Sequence, residues 1–216
     1  MAGQTPWQTT GPFFHFGLPQ KGGADLTGES ALGARPDLIQ PEHDHAVAER
    51  RLGRERVSGK RIEIFGNVWD NKGAPIIDAL IEIWQANAAG RYAHPEDNRT
   101  DIALDPHFVG FGRTALDASG GFRLRTIRPG RVPGPGNTLQ APHIALGIVG
   151  PGFLKRLATR IYFPDHRAEN AEDPILALVP DTRRSTLLAV KEPAQENLYR
   201  FDIRLGGERE TVFFDI

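Results

Sequence analysis

The sequence predicts an all-β protein: an antiparallel β-sandwich with long loops, an N-terminal arm and a few short helices. Several stretches alternate apolar and polar residues with the two-residue period of a strand. The 216-residue chain contains 24 glycines and 17 prolines, which form turns and interrupt helices. Few segments show the longer period of an amphipathic helix. Many short strands joined by turns indicate two antiparallel sheets packed face to face.

The predicted strands all follow Gly59. Residues 61–69 show clear alternation, and the turn-forming run Asp70 to Gly73 separates them from the next strand. Proline cannot donate to a strand ladder, so the Pro/Gly-rich residues 128–142 are predicted to form a loop. The predicted strands, by residue number, are 61–69, 79–85, 121–127, 143–149, 157–163, 199–205 and 211–214.

The chain divides into three predicted segments. Residues 1–20 form the arm, residues 21–58 form a polar loop segment with one short helix at 46–52, and residues 59–216 form the sandwich. Within the sandwich, residues 173–190 are rich in helix formers and are predicted to contain one or two short helical turns.

Histidines in the predicted loops are candidate metal ligands. His43 and His45 flank Asp44, but no third partner lies near in sequence, and such charged loops are usually solvated. His94 and His107 lie in a long predicted loop, residues 93–111, and are also predicted to be solvated.

Composition excludes several classes of protein. The formal net charge of −1 gives no bulk attraction to nucleic acid or to an anionic membrane. The absence of cysteine excludes disulfides, thiolate metal sites and cysteine nucleophiles. No apolar run approaches the length of a membrane span, and the first residues lack a secretory pattern. We therefore predict a soluble, cytoplasmic protein.

Five ordered motifs carry a resemblance to a known family. The stretch from Gly73 to Tyr92 reads GAPIIDALIEIWQANAAGRY, and this pattern resembles the signature of intradiol ring-cleaving dioxygenases. The resemblance covers residues 59–216 and the QTTGPF sequence of the arm. Within the family it is strongest to the α subunit of the two-subunit members. The other four motifs are GFGRT at 110–114, FRLRTIRPG at 122–130, APHI at 141–144 and YRFDIRLGGERETVFFDI at 199–216.

The resemblance implies where an iron site would lie. Enzymes of this family hold a non-haem ferric ion with two tyrosines and two histidines, and phenolate is a hard anionic ligand that suits Fe(III). The matching residues here, called the four ligand positions, are Tyr92, Val132, His143 and Ala145. Valine and alanine have no donor atom, so the resemblance implies that this chain binds no metal and contributes no catalytic residue. The Fe(III) of the holoenzyme is expected in a homologous β subunit.

The resemblance also assigns a role to the arm. In the two-subunit members, α and β form (αβ)n assemblies, and the arm of α reaches the edge of the active site of β. Thr9, Gly11, Pro12 and Phe13 match the arm motif. Small bend-forming residues allow close backbone approach, and Pro12 and Phe13 would give an apolar wall to a pocket for a carboxylated catechol. From the residues alone, an arm packed on its own core is an equal alternative.

Other residues near these motifs have simpler interpretations. Trp84 and Gln85 are predicted to serve packing and hydrogen bonding at a strand end, Tyr92 to close the cavity with an internally bonded hydroxyl, and His143 to be a buried, hydrogen-bonded histidine. Three arginines are candidates for contact with an anionic substrate, although salt bridges at the surface are the commoner role of such residues: Arg128, Arg131 and Arg160.

The residues leave two further functions open. One is a stand-alone β-sandwich module that binds a small aromatic ligand in the cavity. The other is a complete iron enzyme with substituted ligands. The arm distinguishes the first from an α subunit, because a self-contained module has no need of QTTGPF.

Overall fold

The computed structural model describes residues 23–33 and 57–215. The predictions for the arm, for the helix at 46–52 and for the His43-Asp44-His45 group concern residues outside these ranges. None of the helices within the described ranges is long and apolar enough to cross a membrane.

The described residues form eleven strands and two short α-helices. The helices are α1 (Arg167–Glu172) and α2 (Asp181–Arg184), and 3-10 turns lie at Leu176–Leu178 and Ser185–Leu187. The strands are β1 (Arg61–Trp69), β2 (Leu80–Trp84), β3 (Phe111–Ala115), β4 (Gly121–Ile127), β5 (Val132–Pro133), β6 (Leu139–Gln140), β7 (His143–Val149), β8 (Leu157–Tyr162), β9 (Val190–Lys191), β10 (Leu198–Arg200) and β11 (Ile203–Arg204).

Two sheets pack around one core, as predicted. In the first sheet β1 is central: β4 pairs with it antiparallel, β10 and β11 pair with it parallel, and β9 lies beyond β10. The second sheet has the order β3-β2-β7-β8 and is antiparallel throughout. Ile64 of β1 is fully buried in the same apolar cluster as three residues of β7: Ile144, Leu146 and Ile148. The core therefore lies between the two sheets, which is the arrangement of a sandwich.

Several predicted strand bounds are confirmed, and others differ for local reasons. The predicted strand 199–205 is interrupted between β10 and β11, because the Asn67 N–H donates to the side chain of Asp202 (3.1 Å) instead of continuing the backbone ladder. Residues 211–214, predicted as a strand, form a single bridge to the rest of the described chain, between Phe214 and Ala158. The loop 128–142 contains the two-stranded pair β5–β6, where Pro133 is tolerated because the pair is short and isolated from both sheets.

Strand β3 lies where the sequence pattern predicts no strand. Its inward-facing residues are Gly112 and Thr114. Neither is a large apolar residue, so the alternation of apolar and polar residues that marks the other strands is absent. The space above Gly112 is filled by another segment, since an added Cβ would lie 2.7 Å from Leu26 Cδ1. The short helical structure predicted for 173–190 is present as α2 and the two 3-10 turns, and α1 precedes it.

Candidate functional site

Tyr92 is positioned by a tight turn at the end of β2. Asn87 Oδ1 accepts hydrogen bonds from the N–H groups of Ala89 (3.0 Å) and Arg91 (2.9 Å), and Gly90 adopts a φ of +88°. The Tyr92 ring stacks on Trp84, with 5.5 Å between ring centroids and 7° between ring planes. The turn therefore fixes the tyrosine against the end of the strand.

An open cavity of about 590 Å³ adjoins this stacked pair. Asp97 accepts from the Tyr92 N–H (2.8 Å) and pairs with Arg99 (2.6 Å), and the Arg99 hydrogen bond lowers the Asp97 pKa to about 2. Burial raises the pKa of the Tyr92 hydroxyl, which is therefore a neutral phenol at pH 7. Within the described part of the chain this hydroxyl makes no hydrogen bond, so the predicted internal bond is not observed there. The lining residues are Trp84, Tyr92, His94, Glu96, Asp97, Asn98, Arg99 and Pro133.

His143 begins β7 and is 5% exposed. Its Nδ1 lies 2.8 Å from the carbonyl oxygen of Ala141, and because a carbonyl can only accept, Nδ1 carries the proton. Burial, with a smaller contribution from the positive charge of Arg160, lowers the His143 pKa to about 4. The ring is therefore neutral at pH 7, with Nε2 unprotonated.

Val132 and Ala145 are the other two ligand positions. Val132 is 3% exposed and lies opposite Gln140 in the β5–β6 pair. Ala145 lies between Trp84 of β2 and Arg160 of β8 in the second sheet. Both side chains are hydrocarbon, and the described ranges contain no group of three or more His, Cys, Asp or Glu residues that could hold a metal ion. The residues present do not fit a four-ligand ferric site.

Of the three candidate arginines, Arg160 lies beside the ligand positions. Its Nη1 donates to Gln140 Oε1 (2.6 Å) and to the Tyr162 hydroxyl (3.3 Å). The guanidinium groups of the other two have different partners: that of Arg128 lies over the Phe163 ring and pairs with Asp165, and that of Arg131, the residue before Val132, pairs with Glu172. The position of Arg160 follows from the pairing of β7 with β8, which the sequence pattern alone does not specify.

The remaining predicted residues have structural roles or lie at the surface. Gln85 is buried and joins the two sheets: it accepts from Thr126 Oγ1 (2.7 Å) and donates to the Ile127 carbonyl (3.0 Å). His94 and His107 are exposed. The arm residues lie outside the described ranges: Thr9, Gly11, Pro12 and Phe13.

The pH dependence of stability tests the state of His143. Its pKa is about 4 in the folded chain against 6.5 for the ordinary side chain, so the unfolded chain binds the extra proton first as the pH falls. The free energy of unfolding is therefore highest above pH 6.5, where the ring is neutral in both states. It falls as the pH drops from 6.5 to 4, by about 3 kcal/mol in total. Urea unfolding of the wild type and of His143→Gln across this range should show the steeper fall in the wild type, and parallel curves would contradict it.

Comparison with known proteins identifies the family. Residues 35–207 match the Dioxygenase family. The chain is 38% identical to the protocatechuate 3,4-dioxygenase alpha chain of Burkholderia cepacia, over 99% of this chain and 98% of that protein. It is also 38% identical to the beta chain of the same enzyme from Burkholderia cepacia, over 78% of this chain and 74% of that one.

A solved structure supports the fold. The hydroxyquinol 1,2-dioxygenase of Pseudomonas putida DLL-E4 superposes with a TM-score of 0.54 at 18% identity, over 68% of this chain and 57% of that one. At this identity the match concerns the fold alone. Together with the near full-length matches in sequence, it shows that the chain belongs to the intradiol dioxygenase family of oxidoreductases.

Proposed function

We propose that this chain is the α subunit of a protocatechuate 3,4-dioxygenase, that it holds no iron, and that it pairs with a homologous β subunit that does. The observation that carries the proposal is the hydrocarbon side chains of Val132 and Ala145 at two of the four ligand positions. Loss of a residue that only orients a ligand costs about 10–100-fold in metal affinity, and loss of two ligands costs more.

The relatives support an enzyme built from two homologous chains. The similar alpha chain from Burkholderia cepacia aligns with almost the whole of this chain, and a separate beta chain is known from the same organism. In the proposed αβ enzyme, both atoms of O₂ enter protocatechuate as the bond between its hydroxylated carbons breaks, and the product is 3-carboxy-cis,cis-muconate. Iron bound by β supplies the activation that this reaction needs.

The contribution of this chain would be to pair with β and to shape its substrate pocket. Thr9, Gly11, Pro12 and Phe13 are the residues proposed to reach that pocket. A stand-alone module that binds a small aromatic molecule is the alternative, and the open cavity beside the stacked Trp84 and Tyr92 rings is the feature that favours it.

Truncation of the arm distinguishes an α subunit from a stand-alone binding module. In a complex co-expressed with β, deletion of residues 1–14 should lower kcat/KM for protocatechuate by about 10-fold or more, because a wall of the pocket is lost. Deletion of residues 1–6 is the matched control, since it spares QTTGPF, and should leave turnover near the wild-type value. Equal turnover in both truncations would contradict the role of the arm.

Metal analysis of the full-length chain purified alone tests the absence of iron. The proposal expects no stoichiometric iron after exposure to Fe(III). Near-stoichiometric iron together with a purple-red phenolate-to-iron colour would show a complete iron enzyme and would overturn the proposal.

A further inference from the structure

We infer that Arg160 excludes metal cations from this chain by placing its own positive charge among the four ligand positions. The inference rests on the proposal that the chain holds no iron. It adds electrostatic repulsion as a second reason for the absence of iron, besides the two missing ligands. Three observations on Arg160 carry it.

The first observation is the register of the second sheet. Arg160 of β8 lies directly opposite Ala145 of β7, and Ala145 lies directly opposite Trp84 of β2. Residues directly opposite each other on antiparallel strands project from the same face, with Cβ atoms about 5 Å apart. The arginine therefore starts beside one ligand position, where the small alanine side chain leaves room for a long neighbour.

The second observation joins Arg160 to another ligand position. Its Nη1 donates to Gln140 Oε1 at 2.6 Å, and Gln140 lies directly opposite Val132 in the β5–β6 pair. The guanidinium thus extends from the strand that flanks position 145 to the residue that flanks position 132.

The third observation concerns the two ligand positions that keep donor atoms. The Arg160 Nη1 donates to the Tyr162 hydroxyl (3.3 Å), and Tyr162 lies directly opposite His143 in the β7–β8 pair. Tyr92 stacks on Trp84, which lies directly opposite Ala145. Strand pairing, ring stacking and hydrogen bonds therefore connect Arg160 with all four positions.

Among the described residues, Arg160 has no direct ion-pair partner. Within the described ranges no carboxylate lies in ion-pair contact with it, and Asp173 is reached only through the Tyr162 hydroxyl, at 3.3 Å and then 3.4 Å. A second cation placed at this centre would be repelled by the guanidinium in a half-buried setting where water screens charges poorly.

The test restores the missing ligands with and without the arginine. The full-length chain carrying Val132→Tyr and Ala145→His should bind Fe(III) weakly, whereas the same chain with Arg160→Gln added should bind it about 100-fold more tightly or better. Arg160→Lys in place of Arg160→Gln keeps the charge and should not restore binding. Arg156→Gln in the double variant is the control for loss of a positive charge elsewhere, since Arg156 pairs with Glu82.

Bound iron and the phenolate-to-iron absorption band are the readouts, with far-ultraviolet circular dichroism to establish that each variant is folded. Equal affinity in the double and triple variants would overturn the inference, and so would failure of the folded triple variant to bind iron. Either result is distinct from failure of the proposed function, which would appear as iron in the unmodified chain.

Discussion

Replacement of Gly90 by alanine is expected to destabilise the chain by about 3 kcal/mol more than replacement of Gly136. Both glycines have positive φ, +88° and +62°, so both substitutions carry the strain of a left-handed L-residue. They differ in their surroundings. A Cβ on Gly90 would lie 1.9 Å from the carbonyl oxygen of Arg131, whereas a Cβ on Gly136 would have no atom of the described residues within 4 Å.

The expected cost at Gly90 arises because backbone, not a side chain, occupies the space. Gly90 belongs to the turn that positions Tyr92, and Arg131 precedes Val132, so the two loops that carry these ligand positions are in direct contact. The Gly130 N–H also donates to the Asn87 carbonyl (2.9 Å), which holds the same two loops together. An added methyl group must push these loops apart.

Thermal unfolding of the two variants is the measurement. For a chain of this length, a difference of about 3 kcal/mol corresponds to a Tm lower by about 6–12 °C in Gly90→Ala than in Gly136→Ala. Equal Tm values would mean that the loops separate without cost and that their contact does not hold Tyr92 in place.

The sequence predicts strands best where the alternation involves large apolar residues. The bounds of β1, β4 and β7 agree with the predicted 61–69, 121–127 and 143–149. Strand β3 is not predicted because its inward-facing residues, Gly112 and Thr114, are not large apolar residues. The parallel pairing of β10 and β11 with β1 is also not predictable, since the period of two is the same for parallel and antiparallel strands.

The residues of the candidate site also differ in whether the sequence predicts them. Tyr92 and His143 can be identified from the sequence, because each lies within a short motif, WQANAAGRY for the tyrosine and APHI for the histidine. The place of Arg160 depends on the register between β7 and β8 and on a hydrogen bond to Gln140, and both are properties of the folded chain. A residue that acts across strands cannot be located from spacing along one strand.

Replacement of Asp173 by alanine is expected to destabilise the chain by about 3–6 kcal/mol, because it leaves several buried backbone donors without an acceptor. The carboxylate is fully buried and accepts from the N–H groups of Ala141 (2.6 Å), Ile175 (2.8 Å) and Leu176 (2.7 Å). It also accepts from the Tyr162 hydroxyl (3.4 Å), which stays protonated since burial raises its pKa to about 12.

Asp117→Ala is the matched control for this substitution. Asp117 likewise accepts from backbone N–H groups, those of Ser119 and Gly121, both at 2.8 Å, but it is exposed. Water can replace an exposed carboxylate, so the expected cost there is only about 1 kcal/mol. Urea unfolding of both variants measures the difference, and equal costs would contradict the importance of burial at Asp173.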